Sequence, residues 1–292
     1  MKKFFHIAMI ATLALASCTA LEDVDMPALP QVENHEIAFR ATAQYSAKAN
    51  QGETIFSGNE MSVAAYNVTS SSDYFTGASF NKGASLYAGG KYWPNTVSYI
   101  NFLAYAGKEA ASFTSANQFV VEIPATNKSS QNDYFYAIGH GEVSQSAGAL
   151  TYPKDVDLVF KHAQALVTFS VNAGAEYEIA SITLTGASFG GTLTVNQSNY
   201  NTKSGQSAQV TWSNITAAES AVVPAEGLKV VPQAMAASGF KVVYNVNGKE
   251  NYFTYFFSAD EKNFEAGMNY NFNLDFTNGI AVSSSASNWI NE

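Results

Sequence analysis

The sequence predicts an all-β protein, and three observations carry that prediction. Several segments alternate apolar and polar residues with a strict period of two, the mark of a strand with one buried face. Asn247-Gly248 sits between two such runs, 240–246 and 251–257, where it signals a tight type I′ hairpin. No segment after the N-terminal signal carries a long apolar stripe of helical period. Composition agrees. Apolar residues make up 47% and aromatic residues 13%, enough for real cores, while charged residues are only 13%, about half the usual quarter.

The chain opens with Lys2-Lys3, an apolar run from Phe4 to Leu15, and small residues before Cys18. A basic start, a short apolar core and a small-residue cleavage site make a secretory signal, here residues 1–17. The apolar core is too short to cross a bilayer, which takes about 20 residues. Leu15-Ala16-Ser17-Cys18 resembles a bacterial lipoprotein signal, which implies cleavage before Cys18 and lipidation of its thiol. The other reading is an ordinary secretory signal with an incidental cysteine. Cys18 is the single cysteine, so an internal disulfide is excluded and stability must come from packing.

Residues 18–35 read as a tether. They hold Pro27, Pro30 and four acidic residues without periodicity. Glu22, Asp23 and Asp25 are similar to signals that send some Gram-negative lipoproteins to the outer surface; a solvated linker is the alternative. The signal carries two lysines and no acid, so its removal takes the formal net charge from −9 to −11. An acidic surface argues against nucleic acid or anionic lipid as partner, because both need basic patches.

From residue 36 strand follows strand. Ile37, Phe39, Ala41, Ala43 and Tyr45 share one face. Residues 97–105 (VSYINFLAY) are apolar on both faces, which predicts a strand covered on both sides. Ala163, Ala165, Val167, Phe169 and Val171 alternate mostly with His162, Gln164, Thr168 and Ser170. Phe240, Val242, Tyr244 and Val246 form another face, and Met268, Tyr270, Phe272, Leu274 and Phe276 alternate with Asn269, Asn271, Asn273 and Asp275. The strands number about 14, two seven-stranded sandwiches' worth. Gly141 to Gly148 and Tyr152-Pro153-Lys154-Asp155 place a boundary that divides the chain into β-sandwich domains at 36–150 and 151–292.

Catalytic and cofactor chemistry has no constellation to rest on. His35, His140 and His162 remain after the signal, without the three or four clustered ligands that zinc needs. Asp155 and Asp157 lack the glycine-centred loop of a calcium site. Gly186 to Gly191 precedes no helix that would cradle a phosphate, and no Gly-x-Ser-x-Gly elbow occurs. The sequence therefore predicts no enzyme, metal or cofactor. Tyr92-Trp93, Trp212 and Tyr252 to Phe257 could form an aromatic platform for glycans; as sandwich core they need no ligand.

Several motifs align in order with one family. Ile37-Ala38-Phe39 opens the first strand. Phe56-Ser57-Gly58-Asn59-Glu60-Met61-Ser62-Val63 enters the next, with Asn59 where an Asp is common. Tyr92-Trp93-Pro94 precedes Ile100 to Tyr105, and Asp133 to Ala137 follows. Asp157-Leu158-Val159-Phe160-Lys161-His162-Ala163 and Gly267 to Leu274 come next, and Trp289 follows a serine-rich stretch. The chain resembles the fimbrillin (Mfa-like) family, lipoprotein precursors of type V pili. That resemblance implies two tandem transthyretin-like β-sandwich domains. It implies a subunit held by its lipid in the outer membrane until a surface protease cuts after a basic residue near the first strand. The groove so exposed takes up a donor strand from another pilin subunit, and host or bacterial surface ligands are further partners. Arg40, the sole arginine, lies where that cut falls; its place within the alternation reads otherwise as an ordinary edge-strand arginine, and Lys48 is the fallback site. Residues 280–292 are a donor-strand segment or simply a final strand.

Overall fold

The computed structural model describes residues 35–43, 58–126, 128, 132–258 and 263–289. The expected signal peptide, the expected lipidation site Cys18, the expected tether up to Asn34, and Tyr45, Lys48, Phe56 and Ser57 lie outside the described residues. Among the described residues the chain forms twenty strands.

The first ten are β1 (Glu36–Ala43), β2 (Glu60–Asn67), β3 (Ser72–Lys82), β4 (Tyr87–Tyr92), β5 (Ser98–Gly107), β6 (Ser112–Ser115), β7 (Gln118–Ile123), β8 (Tyr134–Ser146), β9 (Ala149–Thr151) and β10 (Val156–His162). Seven of them pair in the order β10-β1-β4-β3-β2-β5-β8, and β8 pairs back with β10. The first half therefore closes on itself as a seven-stranded barrel, where alternation alone suggested an open sandwich. Closure removes the unpaired strand edges that an open sheet must protect. It comes from β10, which runs parallel to β1 from Val156 to Phe160. Its last two residues, Lys161 and His162, pair with Tyr136 and Phe135 of β8. Ile37, Phe39, Phe80, Phe102, Leu158 and Phe160 fill the interior with no exposure.

The remaining strands are β11 (Ala165–Asn172), β12 (Tyr177–Ala187), β13 (Gly191–Ser198), β14 (Ser207–Ser213), β15 (Glu219–Val222), β16 (Leu228–Val230), β17 (Gly239–Val246), β18 (Lys249–Phe256), β19 (Met268–Asp275) and β20 (Ala281–Asn288). One four-stranded sheet has the order β16-β11-β19-β20 and another β15-β12-β17-β18. Both contribute to one core. Phe240 of β17 meets Phe169 of β11 at 4.9 Å and Phe272 of β19 at 5.5 Å between ring centroids. The Asn247-Gly248 hairpin forms as its sequence demands, with φ of 50° and 73° and Val246 opposite Lys249.

A third four-stranded sheet, β14-β13-β7-β6, joins hairpins from both halves of the chain. Leu193 and Val195 of β13, with Phe119 and Val121 of β7, pack with Leu103 and Tyr105 of β5. This is why β5 is buried along both faces from Ser98 to Ala106: Phe102 and Ala104 belong to the barrel core, Leu103 and Tyr105 to the core beneath this outer sheet.

Candidate functional site

The first strand is the element on which any strand exchange would act, and its environment follows from its sequence. The pattern Ile37-Ala38-Phe39-Arg40-Ala41 turns Ile37, Phe39 and Ala41 inward, at 0%, 0% and 3% exposure, and Arg40 outward. Phe39 stands edge-on to two rings, Phe80 at 4.9 Å and Phe102 at 5.0 Å, a geometry that adds to the area term. Burying each large apolar side chain is worth about 1.5–3 kcal/mol. On one side β1 pairs with β10 over five positions; on the other it pairs with β4 at Glu36, Ala38 and Phe39. The Glu36 carboxylate also accepts the Gly90 N–H at 2.8 Å. Taking β1 away would leave an apolar slot flanked by the open ladders of β10 and β4.

Arg40 faces its register partner Asp157 across the parallel pair. Its guanidinium donates to Asp155 Oδ2 at 2.9 Å and to Asp157 Oδ1 at 3.3 Å. The Arg40 side chain is half exposed, Asp155 is 12% exposed and Asp157 69%. The two carboxylates that a sequence reader would test for calcium thus hold a cation of the chain itself. The Arg40–Ala41 peptide lies within the strand, so a protease reaches it only when β1 lifts from its neighbours.

The other end of the chain is an edge strand. β20 pairs with β19 along its whole length, from Met268↔Asn288 to Asp275↔Ala281. Apart from half-buried Val282 its side chains are exposed. Trp289, just beyond, is 6% exposed. Its ring stacks on His162 with centroids 3.7 Å apart and planes 11° from parallel. Its backbone N–H donates to the Gly267 carbonyl at 2.7 Å, and Lys229 Nζ lies 6.0 Å from the ring. His162 is itself fixed, its Nδ1 sitting 2.8 Å from Asp133 Oδ2. An opening of about 270 Å³ beside this stack is lined by Tyr136, Lys161, Asn288 and Gly267.

The two ends carry similar sequences. Ile37-Ala38-Phe39-Arg40-Ala41-Thr42-Ala43 aligns without a gap with Ile280-Ala281-Val282-Ser283-Ser284-Ser285-Ala286. The first, second and last positions are identical, and both place their larger apolar residues, Ile37 and Phe39 or Ile280 and Val282, on one face. Reading the strands one by one misses this; comparing the chain ends would have found it.

The aromatic candidates separate. Trp93 is buried against Gly141, where a Cβ would come within 2.3 Å of the indole. Trp212 is half buried and donates its Nε1–H to the Ala163 carbonyl. Tyr252 and Phe256 are 67% and 74% exposed on the outer face of β18, and Lys241 lies 4.5 Å from the Tyr252 ring. Among the described residues no three His, Cys, Asp or Glu side chains group as metal ligands.

A family model described as fimbrillin-like matches residues 27–289. No curated protein matches. A solved candidate cell adhesion protein from Bacteroides uniformis is 19% identical, with a TM-score of 0.55 over 87% of this chain and 98% of its own. One from Bacteroides ovatus is 14% identical, with a TM-score of 0.54 over 89% and 99%. At this identity the two show a shared fold. A fimbrilin from Porphyromonas gingivalis gives 9% identity and a TM-score of 0.47 over 88% and 98%.

Proposed function

The chain belongs to the fimbrillin-like family, a family of fimbrial structural proteins and not of enzymes, and from that premise we propose that it is a structural subunit of a cell-surface pilus. In this reading it is exported as a lipoprotein acylated at Cys18, held at the outer membrane, and assembled with other pilin subunits by strand exchange. A protease cuts after Arg40, the N-terminal segment with Ile37 and Phe39 leaves, and a donor strand from the next subunit fills the slot. The domain plan that goes with it, transthyretin-like domains at 36–150 and 151–292, has to be amended by β10, residues 156–162, which belongs to the first barrel.

The supporting observation is the seat of β1. An entire inward face, Ile37, Phe39 and Ala41, is buried between two ladders, beside the only arginine of the chain. An emptied seat of that kind is a template for strand addition, with main-chain hydrogen bonds for affinity and pockets for alternate side chains. The tail, residues 280–286, repeats the pattern that the seat accepts.

N-terminal sequencing of the protein recovered from cells tests this. A start at Ala41 supports processing and assembly. An acylated, uncut Cys18 as the only species removes the strand-exchange subunit and leaves a tethered surface protein.

A second reading has one observation in its favour. Tyr252 and Phe256 stand exposed four residues apart on one face of an edge strand, roughly 13 Å at strand rise. A surface lipoprotein that binds glycans through aromatic rings would use such a pair. A glycan array with Tyr252→Ser and Phe256→Ser decides it: loss of specific binding supports this reading, and no binding by the unmodified protein dismisses it.

A further inference from the structure

β18 is an edge strand without the usual guards. It ends the sheet order β15-β12-β17-β18, and β17 is its one ladder partner among the described residues. Its segment Asn251-Tyr252-Phe253-Thr254-Tyr255-Phe256 carries no charge, no proline and no glycine. Edges that stay unpaired are protected by lysine, proline or a bulge. Here the register against β17 runs unbroken from Gly239↔Phe256 to Val246↔Lys249. Uncharged segments of this length and β propensity are the ones that pair edge to edge.

The hairpin fixes which backbone groups this edge offers. A two-residue type I′ turn is flanked by a hydrogen-bonded pair, here Val246 and Lys249, and such pairs alternate along an antiparallel ladder. Asn251, Phe253 and Tyr255 therefore direct their N–H and C=O groups to β17. Tyr252, Thr254 and Phe256 turn theirs to the open side. The side chains of these three are also exposed on the outer face, Tyr252 at 67% and Phe256 at 74%.

A second copy of the chain fits that edge. Set antiparallel about a two-fold axis at Thr254, β18 places Tyr252 opposite Phe256 of the second copy and Thr254 opposite Thr254. Each of these residues offers its backbone groups, so each pair can exchange two hydrogen bonds. On the inner face Phe253 falls opposite Tyr255 of the second copy, and both rings are half-buried at the margin of their own core. Rings thus meet rings on both faces, a favourable kind of cross-strand pair. Sliding the copy two residues one way sets Phe256 against Glu250, and the other way sets it against Thr254. Charge favours the same edge. A chain of net charge −9 repels its own copy in general. This edge has no acid from 251 to 256, and Lys241 lies 4.5 Å from the Tyr252 ring.

We propose that β18 is a pairing edge through which two copies of this chain join into one continuous sheet. Two-fold pairing occupies both edges, so the assembly stops at the dimer. The contact stands apart from strand exchange: β18 packs on the second core, and no residue of the β1 seat takes part.

The test uses residues 18–292 with Cys18→Ser, which removes the sole cysteine. Sedimentation over a concentration series should show a monomer–dimer equilibrium. Thr254→Lys opposes like charges at the axis, and Phe256→Ser removes a ring from each outer pair. Each should weaken association about tenfold or more, with the unfolding midpoint of the monomer unchanged. Register is read by cross-linking. Cα atoms of a hydrogen-bonded pair lie about 5.5 Å apart, within reach of a disulfide, so Thr254→Cys should give a covalent dimer on oxidation and Glu250→Cys should not. A chain that stays monomeric to about 1 mM overturns the proposal, also where Tyr252 and Phe256 prove to bind glycans. So does a dimer indifferent to Thr254→Lys and Phe256→Ser, or one that Glu250→Cys links as readily as Thr254→Cys.

Discussion

Phe39 and Phe102 meet edge to face at 5.0 Å, joining the first strand of the barrel to the strand buried on both faces. The contact makes β1 part of the core and not an appendage to it. Phe39→Ala removes this ring and its contact with Phe80 at once, and buried Phe→Ala changes cost about 3–5 kcal/mol. Denaturant unfolding should show that loss. Ile37→Val, which deletes one methylene at the rim of the same slot, should cost about 1 kcal/mol.

The Arg40 clamp should act on cleavage more than on stability. Exposed ion pairs contribute about 0–1 kcal/mol, and Arg40 is half exposed. Asp155 is the better shielded partner at 12% exposure and 2.9 Å, so Asp155→Asn should speed arginine-specific cleavage about two- to fivefold. Asp157→Asn should do less, because Asp157 is 69% exposed and sits at 3.3 Å. Time-resolved gel analysis reads both. Equal rates in all three proteins would mean that lifting β1, not freeing the guanidinium, sets the rate.

These two cases show what the sequence makes legible. The inward face of β1 follows directly from Ile37-Ala38-Phe39-Arg40-Ala41, because a strand's side chains alternate. The double burial of Ser98 to Ala106 follows from its unbroken apolar run. Barrel closure could not be read this way. It depends on Lys161 and His162 reaching Tyr136 and Phe135, pairs made at a distance that periodicity does not encode. The same holds for the sheet that joins β7 to β13, and for His162 under Trp289, where both residues were visible as motif members and their contact was not. Strands of three or four residues, such as β9 and β16, are too short for alternation to register, which is why the chain has more strands than it predicts.

Alkali should attack the seam between the barrel and the outer sheet. Tyr134 and Tyr105 are buried, and Tyr134 donates its hydroxyl proton to Glu109 while Tyr105 donates to the Glu109 carbonyl at 2.6 Å. Burial, reinforced by the nearby Glu109 charge, pushes both phenols well above the usual tyrosine value. A raised folded-state value means that the stability is fully present below pH 10.0, the ordinary value, and is lost as pH rises above it. Tyrosinate absorbance and unfolding should therefore rise together on the alkaline side, cooperatively, and Tyr134→Phe should make that transition shallower.

Asp275 should show the opposite sign at the other end of the scale. It accepts hydrogen bonds from the Thr277 hydroxyl at 2.6 Å and the Thr277 N–H at 2.9 Å. These bonds favour the charged form and hold the carboxyl below its ordinary 3.8. A depressed folded-state value gives stability that is present above 3.8 and fades as pH falls through the lower folded value. A carboxyl titration followed by NMR should place Asp275 below the ordinary aspartate value of 3.8. Thr277→Ala should return it part of the way toward that value, because the hydroxyl bond is lost and the backbone N–H bond stays.

The similarity of residues 280–286 to β1 fixes a register that can be tested on the cut protein. If Ile280 takes the pocket of Ile37, Val282 falls in that of Phe39, the two large side chains that leave with a cut after Arg40. A synthetic peptide spanning 280–289 should then bind the opened slot, and Val282→Asp in the peptide should abolish binding, because an unpaired carboxylate would enter the apolar core around Phe80 and Phe102. Val282 is smaller than the ring it replaces, so Val282→Phe should fill the space left by Phe39 and tighten binding about tenfold or more, which is about 1.4 kcal/mol. Shifting the register by one residue turns Ala281 and Ser283 inward and the apolar pair outward. A peptide that can pair only in that shifted register should not bind, and calorimetric titration separates the three. Binding that ignores Val282 would mean that the peptide holds to an edge by backbone pairing alone, and the slot of β1 would not be its seat.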